Sequence, residues 1–166
     1  FFTQAELDAG RGIVRTSLET RSVAGKRADD WSYPVAINKE SYNDEQINAL
    51  RKGDLASCFG TAFENLSLTN PAGLPGGKMT LVHRILSLEP EGGRFGLGII
   101  TGEADIHPDD WFLTCHFVDD QVMPGTLMYE CCLHTLRVYL LRMGWVGEAE
   151  EFVYEPIVGV TSKLKC

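Results

Sequence analysis

Three observations predict an α+β domain. The β-forming run Met79–Leu88 is answered by Phe95–Thr101 across a Gly92-Gly93 turn. A single long apolar helix starts at Met123-Pro124-Gly125 and runs to about Met143. Clusters of Pro, Gly and Asp separate these elements.

In chain order, Thr3–Ala9 suits a short helix, and Val14–Val23 a strand or extended segment. Gly25–Pro34 is polar and turn-rich, with Lys26, Arg27, Asp29 and Asp30, and reads as a linker. Ser41–Leu55 is expected as one short amphipathic helix. Asn43 or Asp44 is its N-cap, Ile47, Leu50 and Leu55 lie near helical spacing, Gly53 is near its end, and Phe59-Gly60 closes it. After the Pro and Gly cluster at Pro71–Gly77 come the two strands, which the economical reading joins as a hairpin. Trp111–Cys115 follows the Pro108-Asp109-Asp110 turn as a strand stub or packed loop with its aromatics in a core. The long helix has Pro124 in its first turn and Gly144 as its stop. Leu127, Met128, Cys131, Cys132, Leu133, Leu136, Val138, Leu140 and Leu141 cover nearly its whole circumference, the pattern of a buried central helix. Glu130, His134 and Arg137 interrupt it along one stripe. Val153–Cys166 reads as a strand that stops abruptly, so the sheet looks unfinished. The chain also begins at Phe1 rather than Met, as a piece of something longer would.

With 166 residues, 44% hydrophobic and 23% charged, the chain can bury a sizeable core. Fifteen Lys and Arg against 23 Asp and Glu give a net charge of −8, and no basic run interleaves with aromatics. The footprint of a nucleic-acid binder is therefore missing. No segment reaches the roughly 18–20 apolar residues of a membrane span, and no basic and then apolar leader opens the chain. Cys58, Cys115, Cys131, Cys132 and Cys166 form no CxxC pair. They read as free thiols in a reducing compartment, so a cytoplasmic location is expected.

His116 stands between a strand-like segment and the loop into the apolar helix, and imidazole is the side chain suited to general-base work near neutral pH. A core histidine bonded to a backbone carbonyl is the plain alternative. Gly125 opens the helix, where orphan N–H groups and the positive dipole end can polarise a carbonyl oxygen. Glu130 lies a turn and a half further on in apolar surroundings. It is either a structural acid paired with His134 or Arg137, or an acid raised in pKa by burial.

The stretch Trp111–Phe117 followed by Asp120-Gln121-Val122-Met123-Pro124-Gly125 resembles the hotdog-fold β-hydroxyacyl-ACP dehydratases. It is most similar to their dehydratase-isomerase branch and to the dehydratase domains of polyunsaturated fatty acid synthases. Ser41–Gly60, Met79–Leu88 and Ala104–Asp109 extend the resemblance over residues 41–166. It implies a hotdog, an antiparallel sheet wrapped around the long buried helix, truncated at the C-terminus in this chain. Residues 1–40 resemble the linker or tail of a preceding hotdog. By the same resemblance His116 removes the α-proton of a β-hydroxyacyl thioester and Glu130 protonates the departing hydroxyl. The Gly125 N–H stabilises the enolate-like oxygen and the Val122 carbonyl fixes the His116 tautomer, while Phe117, Met123, Pro124 and Leu127 bind substrate. No metal or organic cofactor is implied. The implied partner is an acyl carrier protein bearing the β-hydroxyacyl phosphopantetheine thioester. Glu130 serves a neighbouring hotdog's His116, in a homodimer or a tandem double hotdog, and the resemblance leaves open whether the enoyl product is also isomerised. Two departures stand out: Gln121 replaces a usual Pro, and His83 replaces a common Asp before Arg84.

Neither Cys115, His116, Asp119 and Asp120 nor Cys131, Cys132 and His134 has the ligand spacing of a recognised zinc class. The competing functions are a hotdog thioesterase and a non-catalytic acyl or carrier-protein binding module of a megasynthase.

Overall fold

The computed structural model describes residues 3–9, 33, 35–65, 73–94, 96–117 and 119–144. The chain forms two compact units, Phe1–Trp31 with Ile157–Val160, and Ser32–Pro156 with Thr161–Cys166. Of the first, the described part is helix α1, Gln4–Asp8, where a short helix was expected. The Val14–Val23 strand, the body of the linker and the Val153–Cys166 strand lie outside the described residues.

The second unit opens with strand β1, Glu40–Tyr42, and helix α2, Asp44–Arg51. Asn43 caps α2 through a reciprocal pair: its side chain accepts from the Gln46 N–H and its own N–H donates to Gln46 Oε1, both at 3.0 Å. The single helix expected over Ser41–Leu55 is in fact two. Lys52 N–H closes α2, Gly53 takes φ +79°, and Asp54 then caps a second helix, α3 (Leu55–Phe59), accepting from the Ser57 N–H at 2.9 Å. With the turn in place, Ile47, Leu50, Leu55 and Cys58 are all buried.

Strand β2 is Arg84–Glu89, not Met79–Leu88. Gly77–Met79 is a single 3-10 turn, and the consecutive residues Leu81 and Val82 are both buried, which a regular strand forbids. β2 pairs antiparallel with β1 and with β3, Ile99–Glu103, giving the order β1-β2-β3 and the expected hairpin. Ile85 and Leu88 are three apart, yet both are fully buried. The register shifts between Ile85 and Ser87, so that Leu86 bulges outward and both neighbours turn to the core.

Trp111–Cys115 is a five-residue helix, α4, rather than a strand stub, with Phe112 buried and Trp111 half-buried. Asp110 turns its carboxylate back onto the His107 N–H at 2.8 Å, which fixes the turn leading into it. Helix α5, Gly125–Arg142, has the expected limits between Pro124 and Gly144. It is not buried all round. Leu127, His134, Val138 and Leu141 face inward, while Met128 and Leu136 are exposed. A helix apolar on every side cannot be oriented by polarity, and here close contact with β3 orients it. Tyr139 Oη donates to the Leu97 carbonyl at 2.5 Å, lying where a Cβ on Gly98 would fall, and Thr135 sits against Gly102.

Gly98 has φ +104°, and an added Cβ would lie 2.1 Å from Tyr139 Oη. Gly98→Ala therefore meets backbone strain and a displaced tyrosine together. We expect a loss of about 2–4 kcal/mol, read as a lower denaturant midpoint at unchanged slope. Among the described residues no helix is long and apolar enough to cross a membrane.

Candidate active site

α4 and α5 meet through the segment 116–124. His116 caps α4, its N–H donating to the Phe112 carbonyl at 3.1 Å. Its Nδ1 lies 3.1 Å from the Val122 carbonyl oxygen. A carbonyl only accepts, so Nδ1 carries the proton and Nε2 keeps its lone pair, the form a general base requires. The Phe117 ring lies 4.2 Å from the His116 ring, centre to centre, and is 56% exposed. The Val122 N–H donates to the Asp120 carbonyl at 3.0 Å, bridging Gln121.

Gly125 is the first residue of α5, and the Pro124 carbonyl accepts from the Leu127 and Met128 N–H groups at 2.9 and 3.1 Å. The N–H groups of Gly125 and Thr126 precede the first residues an intrahelical carbonyl can reach, so they are the orphan donors. A Cβ on Gly125 would meet nothing within 4 Å; the space beside it is open. Leu127 is buried with Leu81 and Phe112, and Met123 packs against this cluster.

Glu130 is not the buried carboxylate the sequence suggested: its side chain is 41% exposed, because it lies toward the open side of α5. Among the described residues it lies beside His134, with Nε2 3.6 Å from Glu130 Oε2, and no hydrogen bond or ion pair links it to His116. Arg137 instead donates to the Gly73 carbonyl at 2.9 Å.

His134, one of the buried titratable groups of α5, is only 4% exposed. Burial, and then the charges of Arg137 and Arg51, push its pKa from 6.5 down to about 4. The unfolded chain takes up a proton at this site below about pH 6.5 and the folded chain does not until about pH 4. Stability present above pH 6.5 is therefore lost as pH falls between those values, about 2 kcal/mol of it by about pH 5. In His134→Gln the drop in denaturant midpoint between about pH 7 and about pH 5 is expected to shrink by that amount.

A second feature escaped the sequence reading. An open-sided cavity of about 150 Å³ lies between the start of β2 and α4, lined among others by Lys78, His83, His107, Trp111, Phe112 and Met123. The His83 Nδ1 accepts the Asp105 N–H at 3.0 Å, and Trp111 Nε1 donates to the Lys78 carbonyl at 2.9 Å. The replacement of Asp by His ahead of Arg84 was the available signal. Arg84 itself is held outside by Asp44, Glu103 and Asp105. Cys58, Cys115, Cys131 and Cys132 are free thiols.

Residues 74–166 match the FabA-like domain. Over 170 aligned positions the chain is 34% identical to a subunit of the polyunsaturated fatty acid synthase of Thraustochytrium sp., an alignment that takes in 100% of this chain and 11% of that protein.

Proposed function

The chain belongs to the FabA-like family of hotdog dehydratase domains, and from that premise we propose that it converts a β-hydroxyacyl thioester carried on an acyl carrier protein to the enoyl thioester. The observation that carries the reading is the His116 Nδ1 contact with the Val122 carbonyl, one loop ahead of the α5 N-terminus. It leaves Nε2 as the base. Nε2 takes the α-proton, the electron pair moves through the enolate-like oxygen held at the Gly125 N–H, and the β C–O bond breaks. The departing hydroxyl takes a proton from Glu130 and leaves as water. Solvent then carries the proton from His116 back to Glu130.

Glu130 lies toward the open side of α5 and makes no hydrogen bond or ion pair with its own His116 among the described residues, which supports an acid that serves a neighbouring hotdog, in a homodimer or a tandem arrangement. Phe117, Met123, Pro124 and Leu127 border the substrate. Residues 41–166 are the dehydratase hotdog and 1–40 the linker or tail of a preceding one. The working compartment is the cytoplasm.

Mass analysis of the thioester after incubation with the full chain tests this. Loss of one water from the intact thioester supports dehydration. Release of the β-hydroxy acid identifies a thioesterase instead, and unaltered thioester retained with its carrier identifies a binding module.

A further inference from the structure

Resting on the dehydratase reading, we propose that the cavity beside α4 is a subsite for an amide of the substrate's pantetheine arm, read by the ring N–H of His83. The Asp105 N–H occupies Nδ1 of His83 at 3.0 Å, so the neutral ring carries its proton on Nε2. His83 lines the cavity, which places a donor where a carboxylate at this position would have offered only acceptors. His107 and Lys78 extend the polar wall, and Trp111, Phe112 and Met123 form the apolar one.

Size and chemistry both select the ligand. About 150 Å³ is many times the roughly 10–15 Å³ that one water needs by the same measure, enough for one amide and its flanking methylenes. An acyl tail presents methylenes and olefins alone and offers the His83 N–H no acceptor. The pantetheine arm alternates amides with methylenes and matches both walls. Two of its lining residues, Phe112 and Met123, also neighbour the base. Phe112 supplies the carbonyl that accepts the His116 N–H, and Met123 follows Val122, whose carbonyl holds the His116 ring.

The test compares one β-hydroxyacyl group presented as the N-acetylcysteamine thioester and as the S-pentyl thioester, similar in length but lacking the amide. Enoyl formation is followed with the full chain and with His83→Asn. Asn keeps an acceptor in the place of Nδ1 for the Asp105 N–H and lacks the group in the place of Nε2; His83→Asp serves as the second variant. Both are checked for the melting midpoint of the parent chain. The parent is expected to favour the amide-bearing thioester about tenfold in kcat/KM, mainly through KM, and both variants by less than about threefold. No preference in the parent, or the same preference in parent and variants, overturns the subsite while leaving dehydration standing. Enoyl product from neither thioester overturns the dehydratase reading itself, and the subsite with it.

Discussion

His116→Ala is expected to lower kcat/KM for enoyl formation by roughly 10²–10⁴-fold, the range that a positioned general base contributes. The size of the effect follows from the local geometry. The Val122 carbonyl at 3.1 Å fixes one tautomer of the neutral ring and one ring orientation, so Nε2 needs no reorganisation step to act as base. The ring is half-exposed, and its backbone N–H is tied to Phe112 whatever the side chain, so the variant is expected to keep its fold although it loses the ring's contacts with Val122 and Phe117. Glu130→Gln should cost a similar factor, since an amide cannot protonate the departing hydroxyl. Because Glu130 is 41% exposed, that substitution leaves little buried polar matter behind, and the melting midpoint should stay near that of the parent. A fall in rate at constant stability separates a catalytic role from a structural one.

Glu40→Ala carries the largest expected effect on stability. The Arg142 side chain is 5% exposed at the end of α5, held by Glu40 through Nε and Nη2 at 2.7 and 2.6 Å and by the Ala36 carbonyl at 2.7 Å. Its guanidinium lies 5.7 Å above the Phe63 ring, and its Nη1 is buried with no hydrogen-bond partner among the described residues. Removing the carboxylate strands a buried cation, which costs about 3–5 kcal/mol, a large part of a domain's net stability. The paired change Glu40→Leu with Arg142→Met removes both charges and should recover most of that loss. Denaturant midpoints of the parent, the single variant and the pair measure it. Burial alone would raise the Glu40 pKa, but its bonds to Arg142 and Tyr42 hold it below the ordinary value. Its contribution is therefore present above about pH 4.5 and is lost as pH falls through the depressed folded value.

The parts of this fold legible in the sequence were those with local punctuation. Pro124 and Gly144 bracket α5, Asn43, one of the two N-caps the sequence offered, starts α2, and Gly92-Gly93 marks the hairpin. What was not legible depends on contacts between elements. Nothing local distinguishes Leu136, which is exposed, from Val138, which is buried; the fit of Thr135 and Tyr139 against Gly102 and Gly98 makes that choice. The bulge at Leu86 is set by the need to bury both Ile85 and Leu88. Trp111–Cys115 is too short for any periodicity to separate helix from strand. At the site, the contact between His116 and Val122 was legible from the motif. The polarity of α5 was misread: His134 is buried, and Glu130 lies at the open side. The cavity at His83 joins residues far apart in sequence, so only the departure from Asp pointed toward it.

The central claim is tested most directly by the ultraviolet absorbance of the conjugated thioester when the full chain meets a β-hydroxyacyl thioester. A rise with the parent chain, falling by at least about a hundredfold in rate in both His116→Ala and Glu130→Gln, is the predicted result. An equal rise in His116→Ala, or thiol release with no rise at all in the parent, would contradict it.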